Sequence, residues 1–364
     1  MIAYFDYRPE YNRLKTEIDD AIARVLASGR LILGPEVRAF ENEFAAYVGA
    51  TGAVGVNSGT DALTLALRAL GVGTGDEVIT VANAGVPPVA AIRALGALPR
   101  FVDVDAQTLL IDPEGLQAAL TERTRCLLPV HLYGQPAALE PIVGFAERHG
   151  LPVVEDCAQA HGALYHDRHV GTHGTIGCFS FYPTKNLGAY GDGGMCVTMD
   201  RDLEERLREL RMYGFDDERR PRVEGVNSRL DELQAAILRV KLVYLEESIA
   251  TRAGLARRYL EGLRDGPFVL PRPVPEVRHA YHLFVVQAPE RRRVMAALER
   301  EGVGYGIHYA EPVHLMPTYA FLGYEAGRLP ITERACASVV SLPLYPGLGW
   351  STVDRVVEAL LGAA

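Results

Sequence analysis

The sequence predicts an α/β protein, with a mainly parallel central sheet in a large domain and a smaller α+β domain at the C-terminus. Two patterns carry this prediction. Through the first half of the chain, short β-rich apolar runs alternate with helical periodicities, as for strands buried on both faces. After Ser180 that alternation gives way to long amphipathic helices and isolated strands. A chain of 364 residues suits two domains. We place the large one, with the N-terminal segment, at 1–245 and the small one at 246–364.

Residues 1–40 read as polar and irregular, apart from a helical stretch near 14–27. Val54-Gly55-Val56 closes a strand, Asn57-Ser58-Gly59-Thr60-Asp61 is a turn and N-cap run, and 62–70 has helical spacing up to Gly71. Strands at 76–81 and 100–104 flank a helix at 88–96. Strands at 126–129 and 152–155 flank another at 139–149. Residues 202–211 read as a charged helix, 231–247 as one long amphipathic helix and 251–263 as its continuation. The small domain carries strands at 281–287 and 339–344 and helices at 293–301 and 353–361. The run Pro271-Arg272-Pro273-Val274-Pro275 punctuates its start.

Composition excludes several classes. The net charge is -9, and the basic runs Arg219-Arg220-Pro221-Arg222 and Arg291-Arg292-Arg293 are short and sit beside acids, so no nucleic-acid footprint is expected. The 5 cysteines are scattered without CxxC spacing, which suits reduced, buried thiols and not a disulfide framework or zinc site. We expect no metal. The N-terminus lacks the apolar core of a signal peptide, and no apolar run reaches the roughly 18 residues of a membrane span. A cytoplasmic protein is the expectation.

Three segments carry chemistry. In Phe179-Ser180-Phe181-Tyr182-Pro183-Thr184-Lys185-Asn186-Leu187-Gly188, the lysine has apolar neighbours and a glycine-rich turn, Tyr190–Gly194, after it. Desolvation favours the neutral amine, the form that condenses with an aldehyde. Alone, the segment reads more readily as a surface lysine in a glycine-rich loop. In Leu151–Gly162, a buried strand ends in Glu155-Asp156, where ligand clefts of open α/β sheets lie. Asp156 is placed to keep a pyridinium nitrogen protonated, and Gln159 to donate to a phenolic oxygen. Asp156 is also a plausible plain N-cap, and His161 an interior histidine. In the third segment, Ser58, Gly59 and Thr60 open a helix whose free N–H groups suit a phosphate.

With these in that chain order, the sequence resembles the fold-type-I pyridoxal phosphate enzymes, and within them the DegT/DnrJ/EryC1/StrS sugar aminotransferases. The resemblance runs through SGRLILGPEVRAFE, VNSGTDAL, VVEDCAQAHGA, SFYPTKNLGAYGDGG, GVNSRLDELQAAIL and GIHYAEPVHLMPTY. It implies Lys185 as the Schiff-base lysine and Asp156 as the partner of the ring nitrogen. It further implies Gln159 at the phenolic oxygen and Ser58, Gly59, Thr60 and Ser180 at the phosphate of pyridoxal 5'-phosphate. Asn227 matches an asparagine that reaches the phosphate from a second subunit, which implies a homodimer with shared sites. His161, Tyr182, Arg229, Tyr309 and His314 match positions near the sugar nucleotide. Many members stack an aromatic residue on the ring, in a segment like PSFTFVAT. Here the matching residues are Val81-Ala82-Asn83-Ala84-Gly85-Val86-Pro87-Pro88, without an aromatic, so Val86 or nearby backbone is expected to cover that face.

The implied reaction is transamination of a nucleotide-linked 3-keto-6-deoxyhexose, with L-glutamate as amino donor. Amination at C4, or of a cyclitol ketone, is the alternative within the same chemistry. A dehydratase relative would replace Lys185 by histidine. A non-catalytic sensor of sugar nucleotides is the alternative outside enzymology, and it would not need Lys185, Asp156 and Gln159 together.

Overall fold

The computed structural model describes residues 1–362 apart from 217, 273 and 275, so Pro273 and Pro275 of the punctuating run lie outside the described residues. In chain order the elements are α1 (Arg8–Ser28), α2 (Pro35–Val48), β1 (Gly52–Val56), α3 (Gly59–Ala69), β2 (Glu77–Thr80), α4 (Pro87–Ala94), β3 (Leu98–Phe101), α5 (Leu116–Ala119), β4 (Thr124–Leu127), α6 (Leu139–His149) and β5 (Val154–Asp156). There follow β6 (Leu164–Tyr165), β7 (Arg168–His169), β8 (Ile176–Ser180), β9 (Gly194–Thr198), α7 (Arg201–Leu210), α8 (Glu232–Leu242) and α9 (Leu245–Gly262). The C-terminal part holds β10 (Val277–Arg278), β11 (Phe284–Gln287), α10 (Arg291–Arg300), α11 (Pro330–Ser338), β12 (Val339–Leu342) and α12 (Trp350–Leu361).

Strands β1-β9-β8-β5 and β3-β2-β4 form two ladders. Parallel bridges Leu127–Val153 and Val130–Asp156 join β4 to β5, giving the order β1-β9-β8-β5-β4-β2-β3. Only β9 runs against its neighbours. Helices cover both faces. The larger apolar core includes Leu63, Leu67, Ile79, Ile92 and Leu127, and the other large-domain core is built on Phe40, Phe44, Phe179 and Phe181. A C-terminal core of Tyr259, Phe284, Val340 and Val356 takes in Ile2 from the N-terminus, which bridges to Val303. The two units share surface, because Leu283, Val285, Ala335 and Val339 join the large core.

The N-terminal segment is more ordered than the sequence suggested. Pro35 opens α2, Gly49 closes it with φ 77°, and its Phe40 and Phe44 are fully buried. Glu232, the first residue of α8, caps this helix from outside. Its carboxylate accepts from the N–H groups of Gly34 (2.8 Å), Glu36 (2.9 Å) and Val37 (2.8 Å), which the helix itself cannot satisfy. The expected single helix over 231–247 is two helices, broken at Val243-Tyr244. Tyr244 leaves helical geometry with φ -102° and ψ 5°, and its hydroxyl bonds Glu17 of α1. Packing against α1 thus overrides an unbroken helical periodicity.

Candidate active site

Lys185 lies just past the end of β8, in a turn closed by its own N–H to the Tyr182 carbonyl (2.9 Å). That turn is pinned behind it. The buried ammonium of Lys241 donates to the Gly188 carbonyl (2.5 Å) and pairs with Glu10 of α1 (2.7 Å), and Asn186 donates to the Ala280 carbonyl (2.8 Å). Among the described residues Lys185 forms no ion pair within 4.0 Å. Burial lowers its pKa to about 8, against the opposing pull of Asp156. At pH 7 that leaves roughly one amine in ten neutral, against fewer than about one in a thousand for an ordinary lysine.

Asp156 ends β5. Its backbone is held by β4, through its N–H to the Pro129 carbonyl (2.9 Å) and its carbonyl to the His131 N–H (3.0 Å). Its carboxylate accepts one bond, from the Ala158 N–H (3.0 Å). Burial raises its pKa, opposed by that N–H, by Lys185 and by His131. Three residues on, Gln159 is oriented by the backbone. Its Oε1 accepts from the Tyr133 N–H (2.7 Å), which turns Nε2 outward as a donor, here to the Tyr309 hydroxyl (3.4 Å). Tyr133, which the sequence did not single out, thereby fixes which end of the amide faces the site. Its φ of 62° left no sequence signal except Gly134 beside it.

Ser58 caps α3, its Oγ accepting from the Asp61 N–H (3.1 Å), and the helix cannot pair the N–H groups of Gly59 and Thr60. A Cβ on Gly59 would stand 2.6 Å from the Ser180 Cβ, and one on Gly194 would stand 2.3 Å from the Ser58 carbonyl oxygen. Glycine at both positions lets the α3 N-terminus sit directly on the ends of β8 and β9. Ser228, also missed from sequence, holds this turn from α8's side. Its hydroxyl donates to Asp61 (2.6 Å) and accepts from the Asn57 N–H (3.0 Å). Asn227 beside it is exposed, and Arg229 is half-buried against the Met212 sulfur (3.7 Å) with no ion pair among the described residues.

The remaining expected site residues are scattered. Tyr182 is exposed and Val86, at the head of α4, is 40 % exposed. His161 is 1 % exposed, its ring among Phe44, Phe179 and Phe181. Burial, with Lys185 nearby, lowers its pKa to about 3. His314 is likewise buried. Its Nε2 meets Glu333 (3.1 Å), and its ring packs with Phe101 and Tyr324. The pKa of His308, unremarked in the sequence, falls to about 4, through burial first and Lys185 second.

Behind Asp156, His131, Glu155 and Cys157 bring three metal-type donor atoms within 4.8 Å of one another. The histidine and the glutamate are hydrogen-bonded within the protein. His131 Nδ1 accepts from the Ala137 N–H (3.0 Å), so its Nε2 carries the proton and donates to Glu155 (3.0 Å). All 5 cysteines are free and buried.

An amine of lowered pKa at a strand end asks for a carbonyl partner, an adjacent carboxylate asks for a protonated ring, and an open helix N-terminus asks for a phosphate. That combination defines an enzyme of amine exchange that works through pyridoxal phosphate. The chain belongs to the DegT/DnrJ/EryC1/StrS aminotransferase family, which it matches over residues 12–361. It is 46% identical to a dTDP-3-amino-3,4,6-trideoxy-alpha-D-glucose transaminase of Streptomyces venezuelae, over 99% of this chain and 95% of that relative. It is 43% identical to a pleiotropic regulatory protein of Geobacillus stearothermophilus, over 99% of this chain and 97% of that one. Among solved structures, S. venezuelae DesV in complex with a ketimine intermediate superposes with a TM-score of 0.97 at 46% identity, covering 99% of this chain and 98% of DesV. The fold is therefore that of a fold-type-I aminotransferase, and the protein is a pyridoxal phosphate-dependent aminotransferase.

Proposed function

We propose that the protein transfers an amino group from L-glutamate to the ketone at C3 of a nucleotide-linked, dTDP-type 3-keto-6-deoxyhexose, in deoxyamino-sugar biosynthesis. The observation that carries this is the buried Lys185 amine facing buried Asp156, in a chain 46% identical to a named sugar 3-transaminase. Pyridoxal phosphate, when bound, supplies the aldehyde for the amine and a ring that accepts electron density. The chain's own residues do the rest. Lys185 Nζ takes and returns the proton that moves as an amino group changes carriers. Asp156 holds the ring proton, Gln159 Nε2 donates to the phenolic oxygen, and the α3 N-terminus with Ser58, Gly59, Thr60 and Ser180 binds the phosphate.

Arg229, free of ion pairs among the described residues, suits the substrate diphosphate. Tyr182 and His314 are assigned to the sugar side, with Tyr309 at its border with the cofactor and His161 behind it among Phe44, Phe179 and Phe181. Exposed Asn227, with exposed apolar Leu31, Ile32, Tyr182 and Tyr213, supports a homodimer in which Asn227 completes the partner's phosphate site. No described helix is long and apolar enough to cross a membrane, and we place the enzyme in the cytoplasm. We keep the domain division at 245/246, where α9 begins.

The test mixes the purified yellow protein with L-glutamate and matched dTDP-3-keto and dTDP-4-keto sugars, and identifies products by mass and NMR. A 3-amino sugar is the expected product. A 4-amino sugar alone overturns the position, and no amino sugar from either, or full activity in Lys185→Arg, overturns the reading.

A further inference from the structure

We infer that Tyr309 is the residue that covers the cofactor ring, and that Gly85 is glycine in order to seat it. This rests on the pyridoxal phosphate reading above. The sequence leaves no aromatic residue in 81–88 to cover the ring, and Val86 at the head of α4 is 40 % exposed. Gly85, just before it, has φ 76°. A Cβ built on Gly85 would lie 2.9 Å from Tyr309 Cζ and 3.1 Å from both Cε1 and Cε2. Equal distances to the two Cε atoms, both longer than that to Cζ, put the added carbon over the face of the phenol ring. An edge-on approach would meet the hydroxyl first. One face of Tyr309 therefore rests on bare backbone at Gly85, in the space a side chain there would fill, and the opposite face is turned away from α4.

The rest of Tyr309 reaches into the site. Its hydroxyl accepts from Gln159 Nε2 (3.4 Å), the group assigned to the phenolic oxygen. Burial raises its pKa, and the next cause is the Asp156 carboxylate, assigned to the ring nitrogen. The phenol thus runs from Gly85, in the loop after β2, to the amide of Gln159. His308, which precedes it, is fixed by Ser341 (2.8 Å) and through its carbonyl by the Tyr133 hydroxyl, so the aromatic wall is delivered by the C-terminal part of the chain. Against the face opposite Gly85, the cofactor ring would take the offset stacking that aromatic rings favour.

The test is a double-mutant cycle on the whole enzyme: wild type, Tyr309→Leu, Gly85→Ala and the pair. Two quantities are read, the dissociation constant for pyridoxal phosphate and the visible circular dichroism per bound cofactor. Tyr309→Leu should weaken binding roughly three- to tenfold and shrink the dichroic band, while Tyr309→Phe keeps both near wild type. Gly85→Ala should do similar damage by displacing the ring, but little once residue 309 is leucine. The strain of alanine at positive φ is common to both backgrounds and cancels in the cycle. Additive losses, unchanged binding and dichroism in Tyr309→Leu, or equal loss in Tyr309→Phe would overturn the assignment. Wild type that binds no pyridoxal phosphate at Lys185 would instead overturn the parent reading.

Discussion

Strand β5 ends in two successive carboxylates that point to opposite sides of the sheet. On the side away from Lys185, Glu155 accepts four bonds: Gly171 N–H (2.7 Å), His173 N–H (2.9 Å), Gly174 N–H (2.6 Å) and His131 Nε2 (3.0 Å). Burial opposes its charge, but His131 and those N–H groups outweigh burial and hold its pKa below the usual value. On the other side Asp156 has one donor and a raised pKa. The same burial thus gives a saturated structural acid and an acid left in need of a cationic partner. The unmet need marks the site, and the filled one marks the scaffold.

Substitutions should separate the two in sign as well as size. Asp156→Asn should lower kcat about 10³-fold, within the range for losing a positioned proton-holding group. The cofactor-free variant should melt slightly higher than wild type at pH 7. A raised native pKa means that the ionised aspartate costs stability above its unfolded value of 3.8, so the gain should vanish as pH falls below that. A lower melting point at pH 7 would break the contrast. Glu155→Gln should do the reverse. It should cost about 3 kcal/mol, seen in urea melts, because an amide donor then faces three N–H groups. Wild type loses this advantage as pH falls through the lowered native pKa, so the two should converge in acid.

Cofactor-free Lys185→Met extends the comparison to the cation. A native pKa of about 8 against 10.5 makes the charged lysine costly below pH 8. The variant should gain about 3 kcal/mol at pH 7, and the difference should shrink between pH 8 and 10.5. A pH-independent difference would rule out the buried charge as its cause. The smallest effect is expected at His161, whose ring is packed among aromatic rings. His161→Phe should change stability by less than about 1 kcal/mol and leave KM for the sugar nucleotide unchanged if the histidine only packs. A tenfold rise in KM would keep it at the substrate.

The alternating strands and helices, and the strand-end positions of Asp156 and Lys185, were legible because local periodicity and sheet topology decide them. α2 was not, although Pro35, Gly49 and the buried Phe40 and Phe44 were in view, because its N-terminal cap comes from Glu232 in distant sequence. The break at Tyr244 was hidden for the same reason, being set by contacts with α1. Ser228, Tyr133 and His308 act through a backbone amide, a carbonyl or a hydroxyl brought from elsewhere, and such roles leave no pattern in residue type. The ring cover could be read from sequence only as an empty position, since its proposed occupant arrives from residue 309.

The cap on α2 also bears on the order of synthesis. Among the described residues β1 pairs only with β9, and the carboxylate that closes α2 belongs to residue 232. The first 56 residues therefore leave the ribosome well before the strand and the acid that complete them. For the roughly 140 residues before β9 is made that segment has an open strand edge, and for about 176 before Glu232 is made it has an uncapped helix start, and chaperone occupancy in the cell should fall there.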